Sequence, residues 1–253
     1  MVWILDLDGV VWLSNTVIPG VPESVTRLRE AGHTILFLTN NSSRCVGDLL
    51  EKFEGMGIDV EADEIVTSAQ AAATMLEPGS TALVCAGEGV REALAARDVK
   101  MVDTGPADAV VVGFHKEFDY SRLNAAYQAI RGGARLIGTN DDTTYPTPDG
   151  PIPGGGALLA AVAAAAGVEA EVAGKPYQPM ADAVLARIGG AAEDGMVVGD
   201  RPDTDGLIAQ RLGVPFALVF TGVTSEGDLP VEPEPAKTAP DLATLVDQSL
   251  SGD

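Results

Sequence analysis

Two carboxylates with a spacing suited to chemistry follow the first apolar segment of the chain. Asp6 and Asp8 come after the apolar residues 2–5 and precede Gly9. A short continuous apolar run predicts a strand buried on both faces of a parallel sheet. Residues two apart in a strand point to one side, so both carboxylates are expected in one small volume. A bound cation or a perturbed pKa would relieve their repulsion, and a simple Asp-Gly turn is the alternative.

Polar clusters also follow two later apolar segments. They consist of Thr39, Asn40, Asn41 and Ser42 after residues 34–38, and of Asp200, Asp203 and Asp205 after residues 195–199. The carboxyl ends of parallel strands share one sheet edge, so the three clusters are expected to converge. Carboxylates without a nearby histidine or cysteine favour Mg²⁺ over Zn²⁺. His33 and His115 lie far from these segment ends in sequence and are expected not to bind metal.

Hydrogen-bond donors suited to an anion accompany the carboxylates. Thr39 and Asn40 offer hydroxyl, amide and backbone N–H donors for phosphate oxygens. Lys175 lies between a glycine and a proline at a predicted helix start, where a lysine is a good partner for an anion. A carboxylate nucleophile, a hard cation, amide donors and a lysine together indicate phosphoryl transfer. The glycine run 154–156 lacks the context of a phosphate-binding loop and is expected to form a turn.

Alternating apolar segments and helical patterns must position these residues. The alternation predicts an α/β fold with a doubly wound, Rossmann-like parallel sheet as its core and an inserted α/β domain. We expect residues 1–76 and 172–253 to form the core and residues 77–171 the insertion. Helices are predicted at 46–56 and 120–131 and from residue 174 onward, and a Pro-rich loop at 145–148. Cys45 is expected to be a small buried residue of the helix after the second polar cluster.

Composition narrows the class of protein. The chain has 253 residues, 46% of them hydrophobic, and a formal net charge of −21, which opposes nucleic-acid binding. Neither a membrane-spanning segment nor a signal peptide is apparent, and two cysteines make no disulfide framework, so a soluble cytoplasmic protein is expected. The acidic surface suggests a high-salt cytoplasm, with an ordinary acidic mesophile protein as the alternative.

Four ordered motifs resemble those of the haloacid dehalogenase superfamily. They are Asp6-Leu7-Asp8-Gly9-Val10, Thr39-Asn40-Asn41, Gly174-Lys175-Pro176 and Gly199-Asp200-Arg201-Pro202-Asp203-Thr204-Asp205. The long insert between the second and third motifs resembles the NagD-like, 4-nitrophenylphosphatase branch, whose members carry a C2-type cap. The similarity continues through Gly113-Phe114, Leu136–Asn140, Tyr145-Pro146 and Thr221-Gly222-Val223, and it covers essentially the whole chain.

The resemblance implies a role for each motif residue. Asp6 is implied as the nucleophile, and Asp8 as the general acid and base that also offers Mg²⁺ its backbone carbonyl. Asp6 and Asp200 would supply carboxylate ligands, with Asp205 supporting the metal directly or through water. The phosphate would be held by Thr39, Asn40 and Lys175, with Asn41 and Ser42 extending the phosphate or substrate contacts. Asp203 is expected to be only a loop residue.

The implied activity is that of a Mg²⁺-dependent phosphatase. It would hydrolyse a small phosphomonoester metabolite, such as a sugar phosphate, a nucleotide or phosphoglycolate, through an aspartyl-phosphate, with p-nitrophenyl phosphate as an artificial substrate. The cap would exclude water, and Asn140, Asp142 and Tyr145 are candidates for contacting the leaving group. A sugar-phosphate phosphotransferase or mutase and a catalytically silent metabolite-binding protein are the alternatives. His115 stands in the cap where relatives commonly carry an acid. The oligomeric state stays open, with a homodimer through the cap as one candidate.

Overall fold

The structure is a computed structural model that describes residues 1–145, 150–192 and 194–251. The chain divides into two compact units. The first comprises Met1–Thr39, Leu49–Val66 and the chain from Val184 to the C-terminus, and the second comprises Asn40–Asp48 and Thr67–Ala183. The division into residues 1–76 plus 172–253 and residues 77–171 stays a prediction.

Strands alternate with helices along most of the chain. The strands are β1 (Val2–Asp6), β2 (Trp12–Leu13), β3 (Thr16–Val17), β4 (Thr34–Thr39), β5 (Ile65–Thr67), β6 (Thr81–Cys85), β7 (Lys100–Val102), β8 (Ala109–Val112), β9 (Arg135–Gly138), β10 (Thr144–Tyr145), β11 (Ile152–Pro153), β12 (Glu171–Val172), β13 (Gly195–Gly199), β14 (Phe216–Val219) and β15 (Lys237–Ala239). The α-helices are α1 (Val21–Glu30), α2 (Val46–Gly55), α3 (Ser68–Thr74), α4 (Glu88–Ala95), α5 (Tyr120–Arg131), α6 (Gly155–Ala166), α7 (Gln178–Ile188), α8 (Leu207–Leu212) and α9 (Leu242–Leu250). Within the described ranges, every helix is too short or too polar to cross a membrane.

The first unit is built on a sheet with strand order β15-β14-β13-β1-β4-β5. β1 pairs in parallel with both β13 and β4, and its apolar residues Trp3, Ile4 and Leu5 are fully buried. Along the chain, β4 and β5 extend the sheet on one side of β1, whereas β13, β14 and β15 later extend it on the other side. The direction in which strands follow one another therefore reverses between β1 and β13. Such a reversal opens a crevice at the carboxyl ends of the strands, which is where open α/β sheets bind ligands.

The second unit has its own parallel sheet, ordered β12-β9-β8-β6-β7. Its central strands are buried, and α5 and α6 pack with them around Val110, Val112 and Leu136. α5 begins where Asp119 accepts a hydrogen bond from the Arg122 N–H at 2.8 Å, a typical helix N-cap.

The predicted α/β fold class with parallel, Rossmann-like sheets is confirmed. The helix predicted at residues 120–131 is found with those bounds as α5. Three local expectations differ from the structure. β1 ends at Asp6 and leaves Asp8 in the following turn, α7 begins only at Gln178, and Cys45 is half-buried just before α2. Residues 146–148 of the predicted loop lie outside the described residues.

Candidate active site

Three carboxylates meet at the crevice of the first sheet. Asp6 ends β1, Asp200 follows the neighbouring strand β13, and Asp205 lies in the turn of π-helix Pro202–Gly206. One oxygen from each carboxylate lies within 4.8 Å of the other two. The three residues are 8%, 1% and 0% exposed, so water screens their charges poorly. A bound cation would stabilise such a group by offsetting the repulsion between its charges.

Glycines make room for these carboxylates. A Cβ on Gly222 would lie 1.9 Å from Asp200 Oδ2, and one on Gly9 would lie 2.6 Å from Asp200 Cγ. A Cβ on Gly199 would lie 2.2 Å from the Asp205 carboxylate. No real Cβ makes contacts this close, so the carboxylates occupy space that any other residue would fill.

Backbone N–H groups fix the orientation of two of the acids. The Val223 N–H donates to Asp200 Oδ2 at 2.6 Å, and the Arg201 N–H donates to Asp205 Oδ2 at 3.1 Å. These bonds stabilise ionised carboxylates. The donor set is therefore buried, held in place and composed of carboxylate oxygens, which fits Mg²⁺.

Asp8 lies in the turn after β1 and outside this cluster of carboxylates. Its Oδ1 accepts a hydrogen bond from the indole Nε1 of Trp12 at 3.0 Å. Trp12 is itself buried, packs edge-on against Phe53 and lies under the ammonium of Lys52, 3.7 Å from the ring centroid. The side chain of Asp8 is thus oriented by a rigid aromatic residue, a role that the sequence did not predict for Trp12.

Thr39 ends β4, the other strand that pairs with β1, and is 2% exposed. The register pairs Asp6 with Leu38, so Thr39 lies one residue further along the same sheet edge. The prediction that polar residues at three strand ends share one edge holds for Asp6, Thr39 and Asp200. Asp203 instead forms a surface ion pair with Arg201 at 3.0 Å.

The second unit brings Asn40 and Lys175 together. The Asn40 Oδ1 accepts the Lys175 N–H at 2.7 Å, and its Nδ2 donates to the Lys175 carbonyl oxygen at 3.1 Å. Lys175 is 3% exposed. The Asn40 amide, expected to serve phosphate, therefore binds backbone groups of Lys175.

Asn41 and Ser42 also make contacts within the second unit. Asn41 Oδ1 accepts the N–H and the hydroxyl of Ser43, and its Nδ2 donates to the Tyr145 hydroxyl at 3.3 Å. The hydroxyls of Ser42 and Thr139 lie 2.8 Å apart, and both residues are fully buried. These two predicted site residues thus support the turn after Asn40.

Neither histidine joins a metal-binding group among the described residues. His33 packs against Trp3, and His115 is buried against Phe118 with its Nδ1 3.1 Å from the Gly113 carbonyl oxygen. Burial lowers the pKa of His115, and the nearby charge of Arg122 lowers it further.

Comparisons with known proteins agree with this geometry. The family model for haloacid dehalogenase-like hydrolases matches residues 3–100, and that for HAD-hydrolase-like domains matches residues 172–245. An acid sugar phosphatase of Staphylococcus saprophyticus is 33% identical over 230 residues, which cover 90% of this chain and 89% of that protein. The structure of p-nitrophenyl phosphatase from Archaeoglobus fulgidus superposes with a TM-score of 0.92 at 33% identity, covering 98% of each chain.

A glycerol phosphate phosphatase from Mycobacterium tuberculosis, solved in complex with magnesium, superposes with a TM-score of 0.89 at 35% identity. The match covers 96% of this chain and 76% of that one. Together with the buried carboxylates at the sheet crevice, these similarities show that the chain belongs to the haloacid dehalogenase superfamily, as a phosphomonoester hydrolase of its NagD-like branch.

Proposed function

We propose that this protein is a Mg²⁺-dependent phosphatase that hydrolyses a small phosphorylated metabolite through an aspartyl-phosphate on Asp6. The cluster of Asp6, Asp200 and Asp205 carries this proposal, because three buried carboxylates within 4.8 Å of one another repel each other and a bound cation would offset that repulsion. The cluster lies at the sheet crevice, where α/β folds bind their ligands.

The three carboxylates would hold Mg²⁺ together with the backbone carbonyl of Asp8. Their oxygens are the ligands this ion prefers, and the nearby glycines leave space for the Asp200 and Asp205 carboxylates themselves. Neutralisation of charge on the phosphoryl oxygens is the chemistry that bound Mg²⁺ supplies. The relative solved with magnesium supports this choice of ion.

Asp6 forms the covalent bond to phosphorus in this proposal, and Asp8 transfers the protons. A carboxylate oxygen of Asp6 forms a bond to phosphorus while the bond to the leaving-group oxygen breaks, and Asp8 gives that oxygen a proton. Asp8, now ionised, then takes a proton from water as the water oxygen attacks phosphorus. The acyl-phosphate bond breaks, which restores the Asp6 carboxylate and releases inorganic phosphate. The hydrogen bond from Trp12 keeps Asp8 oriented for both transfers.

Thr39 and Lys175 bind the phosphate in this proposal. Thr39 offers its hydroxyl from the end of β4, beside the strand that carries Asp6. Lys175 offers an ammonium, which balances the negative charge of the transferring group. We assign this role to Lys175 from the motif Gly174-Lys175-Pro176, with the backbone of Asn40 as a further donor.

The proposed substrate is a small phosphate monoester of an alcohol or sugar. Relatives named as an acid sugar phosphatase and a glycerol phosphate phosphatase support this class. The net charge of −21 opposes nucleic-acid substrates. We propose p-nitrophenyl phosphate and glycerol 3-phosphate as the first two substrates to assay.

The principal test compares wild type with Asp6→Asn on p-nitrophenyl phosphate, with Mg²⁺ and with EDTA. We expect turnover that EDTA abolishes and Mg²⁺ restores, and loss of at least about 10³-fold in the variant because the nucleophile is absent. Asp203→Asn is the matched control, since its carboxylate pairs with Arg201 on the surface. Retained turnover in Asp6→Asn would falsify the nucleophile assignment.

A second test separates hydrolysis from phosphoryl transfer to another acceptor. Methanol and water would compete for the aspartyl-phosphate after the leaving group has departed. Every substrate should therefore give the same ratio of methyl phosphate to inorganic phosphate. A ratio that changes with the leaving group argues against the covalent intermediate. Quantitative transfer to an added sugar would instead favour the phosphotransferase alternative.

A further inference from the structure

The side-chain amide of Asn40 has two partners, the backbone of Lys175 and the carboxylate of Asp142. Its Oδ1 accepts the Lys175 N–H at 2.7 Å, and its Nδ2 donates to the Lys175 carbonyl oxygen and to Asp142 Oδ2, each at 3.1 Å. If the amide were flipped, its NH2 group would face the Lys175 N–H, and its oxygen would face the Lys175 carbonyl oxygen and the Asp142 carboxylate. None of these pairs can form a hydrogen bond. The three contacts therefore permit a single orientation of the amide.

Asp142 is held in turn by Asn140. The Asp142 N–H donates to Asn140 Oδ1 at 3.2 Å, and Asn140 Nδ2 donates to the Asn40 carbonyl oxygen at 2.7 Å. Asn140 is 5% exposed, and the fully buried Ser68 hydroxyl donates to the same Asn40 carbonyl at 2.7 Å. Asn40, Asp142 and Asn140 thus form a closed ring of hydrogen bonds, which is more rigid than separate bonds would be.

The residue before Lys175 must lack a side chain for this ring to contact the backbone. A Cβ on Gly174 would lie 2.5 Å from Asn40 Oδ1 and 2.6 Å from the Thr139 carbonyl oxygen. Two hydrogen bonds to the N–H and C=O of one residue restrain both of its backbone dihedral angles. They therefore fix the direction in which the Cα–Cβ bond of Lys175 leaves the chain.

We infer that Asp142 is a positioning residue for Lys175 that acts through Asn40, an inference that rests on the proposed role of Lys175 in phosphate binding. The Asp142 carboxylate anchors the amide, the amide anchors the lysine backbone, and the backbone directs the ammonium. Asp142 consequently serves the phosphoryl group, which all substrates share. This differs from the expectation from sequence that Asp142 contacts the leaving group.

The first experiment measures kcat/KM of Asp142→Ala with p-nitrophenyl phosphate and with glycerol 3-phosphate. We expect a loss of about tenfold, because one charge-assisted hydrogen bond is removed, and the same factor for both esters. Asp142→Asn keeps an acceptor oxygen for Asn40 Nδ2 and is expected to recover activity to within about threefold of wild type. A loss confined to one ester, or no recovery in Asp142→Asn, overturns the inference.

Asp141→Asn is the matched control. This change removes one negative charge from the position next to Asp142, and the new side chain still offers an acceptor oxygen to the Tyr177 hydroxyl. The hydrogen-bond ring of Asn40, Asp142 and Asn140 is left unchanged. The kcat/KM of this variant should equal that of wild type, and an equal loss would assign the effect to charge alone. Melting temperatures verify folding, and Asp142→Ser, too short to contact Nδ2, replaces Asp142→Ala if that variant does not fold.

The second experiment is a double-mutant cycle with Lys175→Ala. If Asp142 acts through Lys175, Asp142→Ala has no further effect on kcat/KM once the lysine side chain is absent. Additive losses overturn the inference. A wild-type protein that hydrolyses neither ester refutes the proposed function itself, whereas an active wild type with additive losses refutes only the role of Asp142.

Discussion

The indole N–H of Trp12 donates a hydrogen bond to the carboxylate of Asp8 at 3.0 Å. Trp12 is buried and packs edge-on against Phe53, with ring centroids 4.9 Å apart, so its indole has little freedom to turn. The hairpin of β2 and β3 begins at Trp12, and the Gly9 N–H donates to the Trp12 carbonyl oxygen at 2.8 Å. The turn that carries Asp8 is therefore closed by both the backbone and the side chain of one residue.

Replacing Trp12 by Phe should impair the general acid more than the fold. Phe keeps the aromatic contact with Phe53 but cannot hydrogen-bond to Asp8, and such a bond to a charged group is worth about 1.5–3 kcal/mol. We expect kcat/KM for glycerol 3-phosphate to fall about tenfold or more, and that for p-nitrophenyl phosphate to fall less, because nitrophenolate leaves without a proton. Equal losses on both esters would argue against an orienting role for Trp12.

Gly222→Ala should weaken metal binding through Asp200. The added Cβ would lie 1.9 Å from Asp200 Oδ2, so the carboxylate must move away from its partners. We expect the Mg²⁺ concentration for half-maximal activity to rise about 10–100-fold, as for other changes around metal ligands. The Mg²⁺-dependent rise in melting temperature should shift in parallel.

Gly227→Ala is the control for this change, because the nearest atom to its added Cβ is Ser225 Oγ at 3.8 Å. Both glycines are exposed, Gly222 in a bend and Gly227 in the 3-10 helix Glu226–Asp228, and neither has a left-handed backbone conformation. Unchanged Mg²⁺ dependence in Gly222→Ala would exclude Asp200 from the metal site.

The main strands and the sheet crevice were predictable because each depends on a short pattern in the sequence, an apolar segment followed by polar residues. The apolar segments at residues 2–5, 34–38 and 195–199 form most or all of the largely buried strands β1, β4 and β13, and each is followed by a polar cluster. The short strands β2, β3, β10 and β11 have two residues each, too few to show any alternation. Their existence depends on tertiary pairing.

The candidate site was predictable in its residue types but not in their contacts. Clustering of Asp6 and Asp200 follows from strand-end positions, whereas the bond from Trp12 to Asp8 depends on an unpredicted hairpin. The bonds of Asn40 to Asp142 and Lys175 join residues 102 and 135 positions apart. No periodicity in a single sequence indicates such a pairing.

The two cysteine thiols should differ in reactivity. Burial raises the pKa of the Cys85 thiol to about 11, so it is protonated and inaccessible at neutral pH. Partial burial and the carboxylates of Glu92, Asp48 and Glu88 raise the pKa of Cys45, which is half-buried. A disulfide reagent at pH 8 should modify one thiol slowly in the native protein and two in urea. The Cys45→Ser variant should show no native reaction, and rapid labelling of that variant would contradict the burial of Cys85.

His115 should make stability depend on pH. Burial lowers its pKa below the ordinary value of 6.5, and its buried Nε2 makes no hydrogen bond to any residue that the structure describes. The unfolded chain therefore binds more protons as the pH falls through about 6.5, and the free energy of unfolding decreases. Urea unfolding at pH 7.5 and 5.5 should show a larger decrease in wild type than in His115→Gln. Equal decreases in wild type and His115→Gln would disprove the contribution of His115.

Salt should stabilise the protein through its net charge of −21. Self-repulsion of a strongly charged surface opposes the compact state, and the screening length falls from about 10 Å at 0.1 M salt to about 3 Å at 1 M. We expect the melting temperature to rise between 0.05 and about 1 M KCl, by which point most screening is complete. EDTA in every sample prevents divalent ions from binding at the carboxylates, and NaCl should act as KCl does because screening does not distinguish the two. A melting temperature that is flat in both salts would show that the acidic surface does not limit stability.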